Sequence, residues 1–287
     1  MDELYTRVSS ATKQELYQYM KDDDISLLGY NFTYFFQYCI EENQIQVISH
    51  HFSNHKIEGL TVVDELGNQF FSYEIDNPKV KQNFTLCHEL GHFILKHDGN
   101  YFAESIDNQE NLLEREANIF SAVVLMPDIV LLSKIYYNYE TFQRVQNSLE
   151  VSKQALFFRL LDFLREYYPD KDSEVKQAVE AYIEGKNASI FRLFHDIREK
   201  IIEEFHQFQP SLINQVKQRV SKVGFTTSLE YPDLLIQDNW KAIKASSINL
   251  KTWLVYNKGK SIAYVWDKEK FSDEEARKKA ELQLLLM

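Results

Sequence analysis

The spacing of apolar residues along this chain switches between helical and strand-like periods, and the switches mark its elements. The aromatic-rich stretch at residues 28–40, within LLGYNFTYFFQYCI, predicts a helix, and IQVISHHF at 45–52 predicts a strand. LTVVD (60–64) and QFFSYEI (69–75) alternate enough to be half-buried strands, joined as a hairpin across a turn centred on Gly67. Asp76, Asn77 and Pro78 then offer a side-chain cap followed by proline at the first helical position, so a helix is expected over residues 78–97. Asp98, Gly99 and Asn100 stop it.

Further on, NLLEREANIFSAVVLM (111–126) predicts a helix ended by Pro127 and Asp128, and residues 149–167 predict another, capped by Ser152. Residues 171–209 are helical and strongly charged. Within them Ile190, Phe194, Ile197, Ile201, Phe205 and Phe208 recur at three- and four-residue steps as one core-facing stripe. Beyond Pro210 the pattern is mixed, and TWLVYN (252–257) with SIAYVW (261–266) predicts a second hairpin around Gly259. The expected architecture is α+β. A helix-rich domain with a small antiparallel sheet covers residues 1–170, and a helical and β-hairpin domain covers 171–287, with the boundary near 169–173.

Composition narrows the function classes. With 44% hydrophobic residues in 287, a packed core is assured, and 8 Gly and 5 Pro leave little linker material. The formal net charge of -11 opposes binding to nucleic acid, which requires a basic face, and gives no attraction to an anionic membrane. Apolar runs such as AVVLM fall short of a membrane span. The start, MDELYTRVSS, lacks an apolar core like that of a signal peptide, and Cys39 and Cys87 alone do not make a disulfide framework. A cytoplasmic protein with reduced thiols is expected, with Cys87 a small buried residue.

The chemistry concentrates in FTLCHELGHFILKH, residues 84–97. Four residues apart on a helix, His88 and His92 project side by side, as two imidazoles must to hold one Zn²⁺ at roughly 2.0–2.1 Å. Glu89 lies between them in projection, placed to act as general base without ligating the ion. Two imidazoles, a carboxylate and Gly91, which costs about 1 kcal/mol relative to Ala inside a helix, are poor core material unless a metal compensates.

A catalytic zinc needs a third protein ligand. LLEREANIF offers Glu114 and Glu116, about 200° apart on a helix, so both cannot face one ion. Spacing alone does not choose, but Glu114 shares its face with Ala117, Asn118 and Ser121, small enough for two helices to approach around a shared ion. Glu114 is therefore the expected ligand, Asn118 the group orienting an imidazole, and Glu116 a capping or surface carboxylate.

HELGH followed by EREANIFSAVVLMP resembles the ImmA/IrrE metallo-endopeptidases, whose pattern is an HExGH helix and then E-x-x-A-N-x-F-A-x-x-L-L-M-P. Glu114, Ala117, Asn118, Phe120, Ala122, Leu125, Met126 and Pro127 stand in corresponding places, while Ser121 and Val124 depart mildly. The resemblance covers roughly residues 30–165. It implies a zinc site of His88, His92 and Glu114 with Glu89 as catalytic base, peptide hydrolysis, and a protein substrate of the helix-turn-helix repressor class whose inactivation relieves repression. An extended substrate is expected to pair with the strand at Phe70, Phe71, Ser72 and Tyr73 by strand addition. The alternative is a non-proteolytic zinc-containing regulator that sequesters a partner protein.

Other histidines carry less. His50, His51 and His55 are expected at an exposed strand end, and His97, about 140° from His92 on a continued helix, as a cation at the helix C-terminus. His195 and His206 lie three turns apart, too far for one ion. VSKQALFFRLL superficially resembles a DNA-recognition helix, but Phe157, Phe158, Leu160 and Leu161 point to internal packing.

Overall fold

Tyr5, Val8, Thr12, Leu16 and Tyr19 are all buried at three- and four-residue steps along an N-terminal helix, α1 (Glu3–Asp22), which lies outside the sequence expectations. The computed structural model describes residues 3–51, 57–64, 68–97, 101–105, 112–257 and 259–286. The expected turn at Gly67, the helix stop at Asp98 to Asn100, and His55 fall outside them. Helix α2 (Phe32–Glu42) starts later than its apolar pattern because Asn31 caps it, accepting from the Thr33 amide at 2.9 Å.

Strands β1 (Gln46–His50), β2 (Ile57–Val63), β3 (Gln69–Glu74) and β4 (Tyr101–Ser105) form one sheet in the order β1-β3-β2-β4. The β2–β3 and β2–β4 pairs are antiparallel, but β1 runs parallel to β3, so the sheet is mixed where an antiparallel one was expected. This order also corrects the expectation for Phe70, Phe71, Ser72 and Tyr73. Their strand is interior, with Phe70 opposite Gln46 of β1 on one side and Val62 of β2 on the other, so its hydrogen-bonding edges are used and cannot receive a substrate strand. Alternation reveals a strand but not its neighbours.

Helix α3 (Lys79–Ile94) lies across the sheet and packs on α4 (Leu112–Leu125). The expected side-chain cap is absent: Pro78 occupies the cap position in an extended conformation, and the Asn77 amide donates instead to Glu58 at 2.6 Å. After α4 come α5 (Asp128–Leu131), a π-helical turn Leu132–Tyr137, α6 (Phe142–Ser148), α7 (Lys153–Tyr167), α8 (Asp172–Ile183) and α9 (Ala188–Gln207). Ser152 caps α7 as expected, accepting from the Ala155 amide at 3.0 Å. That helix buries Leu156, Leu160 and Leu161, although Phe158 is exposed. The run Leu112–Tyr137 is long and apolar enough to cross a membrane by length and composition, contrary to expectation, but 78% of its most apolar window is buried inside the protein.

The chain divides at Gln209, not near residues 169–173. Helices α8 and α9 belong to the first unit because their apolar stripe, including Val175, Tyr182, Ile190, Phe194 and Ile201, joins its core. An ion cluster holds α9 as well. Buried Asp128 pairs with Lys13 Nζ at 2.5 Å and with Arg159, and Lys13 reaches Glu204 of α9 at 3.0 Å. The charge density that set 171–209 apart in sequence is its solvent face.

The second unit contains α10 (Leu212–Val223), β5 (Phe225–Thr227), α11 (Gln237–Ala245), β6 (Leu250–Asn257), β7 (Lys260–Asp267) and α12 (Asp273–Leu286). Its antiparallel sheet has the order β5-β7-β6 and includes the expected hairpin. Alternate residues of β7 serve two cores: Ala263 and Val265 pack with Val216 and Val220, while Ile262, Tyr264 and Trp266 pack with Ala276 and Ala280.

Candidate metal centre and active site

Gly91 explains how close the two motif helices come. A Cβ there would lie 3.2 Å from the Ala117 Cα and 3.1 Å from the Phe120 ring, so the residue that weakens α3 as a helix is the one that lets α4 approach it. This brings buried His88, His92 and Glu114 together. His88 Nε2 is 3.0 Å from His92 Nε2 and 3.0 Å from Glu114 Oε2, and His92 Nε2 is 3.6 Å from Glu114 Oε1.

These separations suit a shared ion. Ligands at 2.0–2.1 Å in tetrahedral array stand about 3.3 Å from one another, and the three observed values bracket that. The far side of each ring matches too. His88 Nδ1 is 3.0 Å from Asn118 Oδ1, so with the amide oxygen accepting, the ring proton is there and Nε2 presents its lone pair. Two such lone pairs facing a carboxylate call for a cation between them.

The electrostatics agree. Burial lowers the His92 pKa below its ordinary value, favouring the neutral imidazole a metal needs. Burial raises the Glu114 carboxyl, but His88 and His92 beside it, when protonated, outweigh it and bring the pKa to about 2. Asn118 stands where the sequence reading places it, and Glu116 does not. Glu116 is a buried carboxylate facing away from the three donors, paired with Arg7 of α1 and with His97 Nε2 at 2.8 Å.

His97 departs from its expected position because α3 ends at Ile94. The chain turns back through Lys96, whose φ of 56° is left-handed, and the His97 amide donates to the His92 carbonyl at 3.0 Å. The His97 ring thereby comes 2.8 Å, Nδ1 to Nδ1, from His92. Helical projection misplaces it, since it assumes a helix that has already stopped.

Glu89 is fully buried on the sheet side of α3, where the Thr61 hydroxyl of β2 donates to its Oε2. Neither Thr61 nor its neighbour Gly59 carries a motif, and only the crossing of β2 over α3 shows their part. The remaining expected histidines lie elsewhere. His50 Nδ1 is 3.0 Å from Ser72 Oγ, and His51, with its side chain half exposed, pairs with Glu74 at 3.1 Å and Asp76 at 3.2 Å. His51, Glu74 and Asp76 also bring donor atoms within 4.8 Å of one another, but one exposed imidazole between two carboxylates is accounted for as an ion pair.

A family model of the IrrE N-terminal-like domain, Peptidase M78, matches residues 40–161, a span that includes His88, Glu89, His92, His97, Glu114, Glu116 and Asn118 but not Arg7. No curated protein matches the chain. Matched family model, paired motifs and a donor set able to hold a metal agree: residues 40–161 are similar to the IrrE N-terminal-like domain of the Peptidase M78 family.

Proposed function

We propose that the chain is a zinc-dependent endopeptidase that hydrolyses a specific regulatory protein, of the helix-turn-helix repressor class that the family resemblance implies. The observation that carries the reading is the convergence of His88 Nε2, His92 Nε2 and the Glu114 carboxylate on one point, beside the turn of α3 that bears Glu89. A zinc ion held there supplies Lewis acidity toward water and a peptide carbonyl. Glu89 takes a proton from the attacking water and later delivers it to the leaving amine. Thr61 fixes one oxygen of that carboxylate and so holds its orientation. Asn118 and His97 hold the imidazoles in the tautomer that binds a cation.

An extended substrate would add to the sheet at an end strand, β1 or β4, since β3 has both edges paired, and β4 is the end strand beside β2. Proline placed in turn at residues 101–105 tests this. At positions whose amide points away from β2 it should raise KM with the fold intact, and unchanged KM at every folded position would rule β4 out.

The burial of Glu89 favours a second reading, in which the metal orders a protein-binding surface and no chain is cut. Glu89→Gln separates the two. Under the peptidase reading the variant binds zinc as wild type does but loses cleavage by at least about 10²-fold. If both forms relieve repression equally and no truncated partner appears, the peptidase reading fails.

A further inference from the structure

We propose that His97, Glu116 and Arg7 are positioning residues for the metal ligand His92, so that helix α1, which lies outside the matched family domain, is a working part of the metal centre. The inference rests on the metal-binding reading of His88, His92 and Glu114.

The chain of contacts has one consistent proton arrangement. His92 Nε2 faces the other two donors, at 3.0 Å from His88 Nε2 and 3.6 Å from Glu114 Oε1, so it must carry a lone pair when a cation is bound. Its proton is then on Nδ1, 2.8 Å from His97 Nδ1. His97 accepts there, which puts its own proton on Nε2, 2.8 Å from Glu116 Oε2. The other oxygen of Glu116, Oε1, accepts from the Arg7 guanidinium. The polarity thus runs from His92 through His97 to Glu116, and Arg7 closes it.

Burial shows which links can do this work. The His97 and Glu116 side chains are 4% and 9% exposed, so the hydrogen bonds between them are shielded from competing water. Arg7 is 61% exposed and brings its charge in from the surface, balancing a carboxylate that would otherwise be an uncompensated buried anion. The two imidazoles are therefore held differently. His88 leans on the neutral amide of Asn118, whereas His92 leans on a second imidazole backed by a carboxylate, an arrangement that fixes the ring and raises its basicity toward a cation.

The two ends of the chain explain the local sequence. His97 reaches its place only because the backbone reverses at Lys96, and Glu116 points toward His97 because it lies two residues from Glu114 on α4, on another face of the helix. Arg7 reaches Glu116 because α1 packs along α4.

The test measures zinc affinity of the full chain by competition with a chromophoric chelator, together with ¹⁵N histidine spectra that report which nitrogen of His92 is protonated. His97→Ala should weaken zinc binding by about 10–100-fold and give His92 a mixture of tautomers. His97→Gln should restore most of the affinity, since its amide oxygen can accept from His92 while its NH₂ donates to Glu116. Arg7→Ala should weaken zinc by a smaller factor, and Arg7→Lys should recover part of it. Thermal unfolding of each metal-free variant shows whether the fold is intact. Affinity and tautomer unchanged in His97→Ala and Arg7→Ala would overturn the relay alone. So would a loss in His97→Ala that Gln does not repair in a folded chain. A wild-type chain that takes up no zinc would overturn the metal reading, and this inference with it.

Discussion

Gly59 of β2 stands against Glu89 of α3: a Cβ at Gly59 would lie 2.5 Å from Glu89 Oε1 and would also run into the Thr85 side chain. The strand can cross the helix at this depth only without a side chain, and that depth lets Thr61, two residues on, donate to the same carboxylate. Gly59→Ala should therefore displace Glu89 while leaving His88, His92 and Glu114 in place. The expected result is a loss of peptide hydrolysis of at least 10-fold, in rough proportion to a general base moved by a fraction of an ångström, with zinc content unchanged. Activity assay and metal analysis of the same preparation check it. Parallel loss of metal and activity would show that Gly59 supports the ligands themselves.

Gly91→Ala sets two effects against each other. Alanine favours an isolated helix by about 1 kcal/mol. Here, however, the new methyl would meet the Ala117 backbone at 3.2 Å, which cannot rotate away, and overpacking of this kind costs about 1–3 kcal/mol. The variant should be less stable than wild type by about 1 kcal/mol and should also bind zinc more weakly, because the ligands sit on the two helices being pushed apart. Urea unfolding and chelator competition measure the two effects, and a stabilised variant would show that α3 and α4 can separate without loss.

Acidification should release the metal through the imidazoles rather than through the carboxylate. Glu114 has a pKa of about 2 and stays ionised through the mildly acidic range, so it does not compete with the ion for a proton there. His92 is neutral at pH 7 because burial depresses its pKa below 6.5, which should extend zinc retention to below that pH. The affinity should then fall as pH drops further, well before Glu114 protonates. A zinc titration across pH 7 to 4 checks this; affinity already lost above pH 6.5 would contradict the burial effect.

The cluster of candidate metal donors was legible in sequence because its geometry is local: one helical turn separates His88 from His92, and the small residues beside Glu114 mark the face on which a second helix can approach. What surrounds them was not legible, for identifiable reasons. The role of His97 depends on where α3 stops, and a left-handed lysine carries no sequence mark that helical periodicity would detect. Thr61 and Gly59 act through a strand crossing, and Arg7 through the packing of α1 on α4, so their contacts span tens of residues. The strand at Phe70 to Tyr73 was found from its alternation, but its interior place in the sheet depends on a parallel partner, β1, that alternation cannot specify. The unit boundary was misplaced because charge on the solvent face of α8 and α9 conceals a stripe that closes the first core.

That closure can be tested at Asp128, where the ion cluster gathers α1, α7 and α9. Asp128 is buried between Lys13 and Arg159; burial alone would raise its pKa, but the two cations hold it below the ordinary 3.8. Asp128→Asn leaves Arg159 buried without its carboxylate partner and Lys13 with Glu204 alone, a loss worth about 3–5 kcal/mol at neutral pH. The sign with pH follows from the depressed folded-state pKa. The carboxylate contributes its full stability above the unfolded value of 3.8 and loses it as pH falls through the lower folded value. Wild type and variant should therefore differ most in urea unfolding near pH 7 and converge under acid conditions below pH 4. A difference that stayed constant down to acid pH would mean that Asp128 acts through shape rather than charge. Unfolding followed by fluorescence from a tryptophan introduced at Tyr168 should report the same transition as far-UV circular dichroism of the first unit, because α7 and α9 share this cluster and one core.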